Sequence, residues 1–402
     1  MQTCLPEHKT VHLPGGRLDL RVERSDWPLD DLCGYAARHN PARAFLFVSK
    51  ALGKHLPAKP QVMSRAVDLL ADKIEALDLP SPLVTIAMAE TATGLGQGLF
   101  EAGLRRRPAP DELFLHTTRY ALKKPLAFRI SEEHSHAREH LLYEPASSRG
   151  REIFRTARTL ILIDDEMSTG KTLRNLAEAF LAAVPTVERL VLSSLVCWLD
   201  EEKRADLALG LGRPAEFVSL LDGTFSFSPG GDGAAGETPS FKSVGGGLPK
   251  DHLLPTNFGR LGLCSADLLA DGFGDGHFGP NRLDRLRRLR RKLDLDPKRP
   301  VLTLGTGEFL HHPCLLARFL EEEGFDVSFQ STTRTPAAIG LDIAEALRFV
   351  DNYHDGIDNF LYNVSADSDS QKIICYETAS LPPEHDLPHT LGAQTLFFDE
   401  AF

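Results

Sequence analysis

Nothing in the 402-residue chain approaches the roughly 20 consecutive apolar residues that cross a bilayer, so a helical membrane protein is excluded. Cysteine is sparse and shows no pairing pattern: Cys4, Cys33, Cys197, Cys264, Cys314 and Cys375 are scattered without Cys-x-x-Cys spacing. Such a set suits free thiols in a reducing compartment and argues against a disulfide framework or a structural zinc site. Basic charge is also short. Forty-five Lys and Arg face 56 Asp and Glu, for a formal net charge of −11, so broad binding of nucleic acid or anionic membrane is not expected. Any phosphate must be captured by a local site. The opening MQTCLPEHKTVHLPGG has no charged segment followed by an apolar one, and a cytoplasmic location is the expectation.

A hydrophobic fraction of 42% with 25% charged residues belongs to a water-soluble globular protein, and 402 residues exceed one ordinary core. Arg43–Val48, Leu83–Ala89, Glu112–His116, Leu160–Ile163 and Arg189–Val196 read as strands. Between them Met63, Val67, Leu70, Ile74 and Leu77 recur at helical spacing, and Gln97–Arg107 and Gly170–Ala183 read as helices too. The alternation predicts an α/β fold, Rossmann-like, with a mainly parallel sheet covered on both faces. Ser228–Pro249 holds seven glycines and three prolines and reads as a linker or loop. Strands at Val301–Leu304, Asp326–Gln330 and Lys372–Tyr376, with a helix at Pro313–Glu323, make the second half α/β as well. The expected domains are 1–225, with an N-terminal hood, and 258–402, joined by 226–257.

One local unit occurs twice. Residues 83–119 run strand, Gly-containing turn, helix and strand, ending Thr117-Thr118-Arg119; residues 301–334 repeat that order and end Thr332-Thr333-Arg334. Chance likeness, a second ligand site and a duplicated, diverged domain are all open readings.

The chemistry concentrates in residues 160–172, LILIDDEMSTGKT. An apolar strand carries Asp164 and Asp165 to the C-terminal edge of the sheet, where ligands bind in open parallel sheets. Ser168-Thr169-Gly170-Lys171-Thr172 then opens a helix, whose backbone N–H groups form an anion site. Carboxylates beside an anion hole suit a ligand that is both polyol and phosphate, with Asp164 and Asp165 accepting from ribose hydroxyls and 168–172 holding a 5′-phosphate. A nucleotide P-loop needs Gly where Asp165 stands. A plain strand and capped helix, with Ser168 or Thr169 as N-cap, explains the turn but not the adjacent acids.

This stretch resembles the phosphoribosyl-pyrophosphate signature of type I phosphoribosyltransferases, from which Glu166 departs because an apolar residue is usual there. Ser168 stands where purine enzymes often carry Asp, so it is more similar to the orotate branch. The resemblance implies Mg²⁺ as cofactor, held through substrate and possibly Asp164 and Asp165, and a homodimer. It implies a pyrophosphate turn at Glu90-Thr91-Ala92-Thr93-Gly94, with Arg119 beyond the next strand contacting the leaving group. Arg129–His140 is the corresponding closing loop, with His134 or His136 as donors. The spacing of His134, His136 and His140 is a weak metal pattern. RAFLFVSKALGKHLP (43–57), LHTTRY (115–120), EEHSHA (132–137) and QSTTRTP (330–336) extend the likeness over nearly the whole chain. Together they resemble the orotate-phosphoribosyltransferase-like proteins of tellurite-resistance gene clusters, whose C-terminal TRSP domain is named for a Thr-Arg-Ser-Pro motif; here that motif is Thr333-Arg334-Thr335-Pro336.

The family implies transfer of phosphoribosyl from phosphoribosyl pyrophosphate to a nitrogenous acceptor. The alternatives are a non-catalytic sensor of that compound or a nucleotide, and a two-step enzyme. In the second half Gly305-Thr306-Gly307-Glu308 reads either as a phosphate-holding turn or as a plain one, Thr333-Arg334 is a further candidate phosphate contact, and Asp351–Gly356 is another polar cluster open to the same two readings. Arg282–Lys292 reads as an amphipathic helix with a solvated Arg face. Trp27, Phe45 and Phe47 are candidates to stack on a base, with core packing the alternative for the two Phe.

Overall fold

Alternation of the apolar side chains within each short strand, with helices on either side, builds the fold. The computed structural model describes residues 7–38, 44–109, 111–131, 139–230, 248–273 and 278–398. Its large sheet runs in the order β1 (Glu7–Leu13), β2 (Gly16–Ser25), β12 (Ala215–Pro229), β11 (Arg189–Cys197), β9 (Thr159–Ile163), β5 (Leu83–Ala87), β6 (Glu112–His116) and β13 (Leu263–Cys264). The five neighbours from β12 to β6 are parallel, while β1, β2 and β13 attach antiparallel at the edges. The short β10 (Glu166–Met167) pairs with β11.

In β9, Leu160 and Leu162 face a core with α4 (Ser148–Thr156) and α5 (Lys171–Ala183), whereas Ile161 and Ile163 face one with α2 (Pro60–Glu75) and α3 (Thr93–Arg106). A strand buried on both sides is apolar throughout, which is why LILI stood out in the sequence. α6 (Glu201–Leu211) follows β11. Its Asp200 cap accepts from the Lys203 amide, and Ser147 caps α4 the same way through Gly150.

A second, wholly parallel sheet has the order β15 (Val327–Ser331), β14 (Val301–Gly305), β18 (Gln371–Tyr376), β19 (Gln394–Phe397). α9 (His311–Glu322) covers the face it shares with the first domain, so that Val301, Val327, Phe329, Ile373 and Cys375 belong to one core with α2 and α3. Three antiparallel hairpins complete the strands: β3 (Cys33–Ala37) with β4 (Phe45–Ser49), β7 (Leu126–Ser131) with β8 (Glu139–Tyr143), and β16 (Ala346–Val350) with β17 (Asp358–Tyr362). The remaining helices are α1 (Leu29–Leu32), α7 (Ser265–Ala270), α8 (Pro280–Arg290) and α10 (Leu387–Leu391).

The expected strands and helices are present with ends shifted by a few residues, and the fold is the expected α/β. Four local readings change. The Gly-containing stretch after β5 is the start of α3, because the glycines permit close packing: a Cβ on Gly96 would sit 2.3 Å from that of Ala87. The Gly- and Pro-rich stretch begins inside β12, which reaches Pro229, and residues 231–247 lie outside those described. Trp27 is buried with the Arg65 guanidinium 4.6 Å from its ring centroid, and Phe45 and Phe47 pack among Trp198, Phe225 and Phe227. These rings are core. On α8, Arg282 is buried instead of solvated, being paired with Glu101. The five described cysteines are buried and free. No helix among the described residues is long and apolar enough to cross a membrane.

Candidate active site

Three turns meet at the C-terminal edge of adjacent strands β9, β5 and β6, and backbone hydrogen bonds hold them in register. Met88 N donates to Ile163 O at 2.8 Å, and Thr117 N to Ala87 O at 2.9 Å. Asp164 N donates to Ser193 O at 3.0 Å, and Leu195 N donates to Asp165 O at 3.2 Å, which fixes the acidic pair against β11. Both acids are half-buried. Asp164 Oδ1 accepts from the Asp165 amide at 2.9 Å. Glu166, whose role the sequence left open, is half-buried in β10 beside β11.

Beyond the acids the chain passes Ser168 and exposed Thr169 to Gly170, the N-cap residue of α5. Neither hydroxyl residue is the cap. Gly170 has φ +66°, a left-handed conformation that glycine takes at least cost, and no side chain caps the helix. Thr169 Oγ1 accepts from Lys171 N at 3.4 Å, and Thr172 is half-buried. The start of this 13-residue helix is suited to a phosphate group.

After β5, Glu90 and Thr91 form the turn, while Thr93 and Gly94 already belong to α3. Thr117 Oγ1 accepts from Ala89 N at 2.9 Å and contacts His140 Nδ1 at 3.1 Å. Arg119 stands at the end of β6, its Nη1 donating to Glu139 O at 3.3 Å. His134 and His136 lie outside the described residues; His140 is buried on β8.

Second-domain groups, together with Lys54 of the first domain, close around these turns from the other side. Glu308 accepts from Thr118 Oγ1 and from the Arg119 amide, both at 2.6 Å. Burial pushes its carboxyl up, but the Arg260 guanidinium and these hydrogen bonds outweigh burial and hold it below the usual carboxylate range. Arg260 also pairs with Glu377, through contacts of 2.5 and 2.7 Å. Lys54 is buried, donates to Gly307 O and Thr332 O at 2.6 Å each, and lies 3.3 Å from Glu90. Burial depresses its pKa; the charges of Glu90, Glu308 and Asp165 oppose that shift.

The second-domain candidates fall at matching turns. Gly305-Thr306-Gly307 follows β14, with Gly307 N donating to Thr332 Oγ1 at 3.0 Å. Thr333 and Arg334 follow β15, their Oγ1 and amide donating to Glu90 at 3.2 and 3.4 Å. The Arg334 guanidinium lies 4.6 Å from the Tyr120 ring centroid. In the 351–356 cluster, Asp351 is a turn anchor, accepting from the amides of Tyr353, Asp355 and Ile357. Lys54, Arg260 and Glu377 were not singled out in the sequence, and Glu308 was read only as the last residue of the Gly305-Thr306-Gly307-Glu308 turn. For Glu308 a signal existed: it stands three residues beyond β14, as Glu90 stands three beyond β5.

Family comparison covers both halves. Residues 32–224 match the model described as phosphoribosyl transferase, and residues 280–389 match the TRSP domain that lies C-terminal to it. Curated proteins give no sequence match. Similar solved structures include adenine phosphoribosyl transferase from Trypanosoma brucei in complex with AMP, pyrophosphate and ribose-5-phosphate. That structure has 13% identity, covers 50% of this chain and 83% of its own, and has a TM-score of 0.33. Adenine phosphoribosyltransferase from Rhodothermus marinus has 15% identity, 40% and 80% coverage and a TM-score of 0.25. A hypoxanthine phosphoribosyltransferase from Staphylococcus aureus has 15% identity, 37% and 68% coverage and a TM-score of 0.25. The chain belongs to the family of phosphoribosyltransferases in which a phosphoribosyl transferase domain is followed by a TRSP domain.

Proposed function

We propose that the protein transfers the phosphoribosyl group of phosphoribosyl pyrophosphate to a nitrogen of a base-like acceptor, with the chemistry in residues 1–225. The observation that carries this reading is the convergence of an acidic pair, a helix start and an Arg-bearing turn on three adjacent strand ends. Asp164 and Asp165 orient the ribose hydroxyls and favour positive charge at C1. The 168–172 segment holds the 5′-phosphate. Glu90–Gly94 and Arg119 serve the pyrophosphate, with residues 129–140 as a cover supplying His134 or His136. The C1–oxygen bond to pyrophosphate breaks as the C1–nitrogen bond forms; pyrophosphate leaves with the bonding pair, and the acceptor nitrogen loses its proton. The protein mainly positions the reactants and stabilises separating charge.

Mg²⁺ is part of the proposal. The described residues contain no cluster of three or more His, Cys, Asp or Glu suited to a metal. Two carboxylates and substrate oxygens nevertheless fit a hard cation that keeps much of its shell from substrate and water. When bound it supplies neutralisation of pyrophosphate charge.

An orotate-like acceptor, a cytoplasmic location and a place in tellurite-stress metabolism rest on the resemblance and belong to the same proposal. So does a homodimer. The second-domain candidates Gly305, Thr306, Gly307, Thr333 and Arg334 stay a proposal as contacts near the pyrophosphate end. Pyrophosphate release from phosphoribosyl pyrophosphate, with Mg²⁺ and a panel of bases, tests the reading. Asp164→Asn with Asp165→Asn should abolish it, whereas near-normal turnover would overturn it.

A further inference from the structure

We infer that the C-terminal domain is a diverged copy of the transferase unit, docked on the first in cis, and that its Glu308 is a positioning residue for the Thr118–Arg119 turn. The correspondence runs element by element. The order β6, β5, β9, β11 in one sheet matches β15, β14, β18, β19 in the other, all parallel. α3 and α9 follow the first strand of each unit, and the hairpins β7–β8 and β16–β17 follow the second. Both hairpins have connections of the same length, 132–138 and 351–357. Arg129 pairs with Glu139 across one hairpin, as Arg348 pairs with Asp358 across the other.

Hydrogen bonds repeat at the same offsets. Thr117 N donates to Ala87 O as Thr332 N donates to Gly305 O. Ala89 N donates to Thr117 Oγ1 as Gly307 N donates to Thr332 Oγ1, at 2.9 and 3.0 Å. Tyr120 N donates to Thr118 Oγ1 as Thr335 N donates to Thr333 Oγ1, both at 3.1 Å. Thr118 exchanges backbone bonds with Leu141 as Thr333 does with Phe360. Chance likeness of two short strand–turn–helix units does not reproduce six elements and their side-chain turn bonds in register.

The contact between the copies is reciprocal. Glu308, three residues past β14, caps Thr118 and the Arg119 amide; Glu90, three residues past β5, accepts from Thr333 and the Arg334 amide. Equivalent residues exchanging equivalent bonds make an isologous interface, the kind two copies of one surface form. The two sites have diverged. Where β9 ends in Asp164-Asp165, the aligned end of β18 carries Tyr376-Glu377. Glu377 is held by Arg260 and accepts from Tyr353 Oη at 2.8 Å, and Tyr353 Oη also bonds Thr306 O at 2.9 Å. The second unit's ligand position is thus filled by the chain's own side chains. What it retains is the grip on its counterpart.

This inference rests on reading the Thr118–Arg119 turn as part of the pyrophosphate site, and the experiment separates the two. Steady-state kinetics with phosphoribosyl pyrophosphate and binding of inorganic pyrophosphate with Mg²⁺ are compared for wild type, Glu308→Gln, Glu308→Asp and Arg282→Gln. Amide hydrogen exchange of residues 117–120 is followed in parallel. The Asp variant keeps a charge for Arg260 but is too short to reach both donors, so it guards against a fold lost with the charge. Arg282→Gln breaks the ion pair with Glu101 at the same interface, away from the turn. Both Glu308 variants should raise KM and weaken pyrophosphate binding on the order of ten- to a hundredfold, with a smaller effect on kcat and faster exchange at 117–120. Arg282→Gln should leave KM and that exchange unchanged. Equal effects in all three variants, or unchanged KM and exchange in the Glu308 variants, would overturn the inference. Faster exchange in variants of a wild type that neither binds nor turns over phosphoribosyl pyrophosphate supports the positioning and overturns the proposed transfer instead.

Discussion

Replacing Arg260 with Met removes the one guanidinium that neutralises both Glu308 and Glu377, whose side chains are each 1% exposed. The stem is replaced by a side chain of similar length, so packing changes little. What is lost is five hydrogen bonds, two to Glu377, two to Glu308 and one to Thr118. Removing one member of a buried ionic cluster leaves uncompensated charge and costs about 3–5 kcal/mol. The expected loss is therefore in that range at pH 8. The pH dependence has a definite sign. In the wild type the Glu308 carboxyl is held below its ordinary value, so its contribution is present above the unfolded pKa and fades as pH falls through the folded one. In the variant the Thr118 and Arg119 hydrogen bonds remain but the guanidinium is gone, so burial moves the carboxyl upward, and the penalty at high pH is relieved by protonation on acidification. Urea unfolding of both proteins at pH 8 and pH 5.5 should show a deficit that narrows at the lower pH. Adding Glu308→Gln and Glu377→Gln to the variant should recover stability. A deficit below about 1 kcal/mol at pH 8, or one that widens on acidification, would refute the reasoning.

Two further perturbations probe other parts of the account. Gly170→Ala places a Cβ on a residue at φ +66°, 2.5 Å from Leu207 Cδ1; the side chain can shift, but the backbone cost of about 1–2 kcal/mol stays. Calorimetric titration should show weaker binding of phosphoribosyl pyrophosphate, and unchanged affinity would remove residues 168–172 from the phosphate site. Glu112 is buried and its pKa is pushed up to about 7, the nearby Arg107 opposing only part of the shift. Its folded pKa lies above the unfolded value, so stability should fall as pH rises from 4.5 to 7, by on the order of 3 kcal/mol. Unfolding of Glu112→Gln should lose that slope; an unchanged slope would assign it elsewhere.

Much of the site was legible because its determinants are local. An apolar strand buried on both faces announces itself, and two acids followed by a hydroxyl- and Gly-containing turn can be read at fixed spacing. Thr117-Thr118-Arg119 and its echo at 332–334 were visible for the same reason. The support they receive was not, because Lys54, Arg260, Glu308 and Glu377 are separated by up to hundreds of residues, and only the tertiary fold makes them neighbours. Helical periodicity also misled at Arg282, where a run of arginines suggested a solvated face but one of them turns inward to Glu101. Edge strands β1 and β2 alternate polar and apolar residues, and gave a weaker signal than the central strands.

The central claim is that Asp164 and Asp165, at the end of β9, hold the ribose of phosphoribosyl pyrophosphate during transfer. The most direct measurement is pyrophosphate release from that compound, with Mg²⁺ and an acceptor panel, by wild type and by the Asp164→Asn/Asp165→Asn double variant. The account predicts acceptor-dependent release by the wild type and its abolition in a double variant that stays folded. Near-normal release by the variant, or none by the wild type with any acceptor, would contradict it.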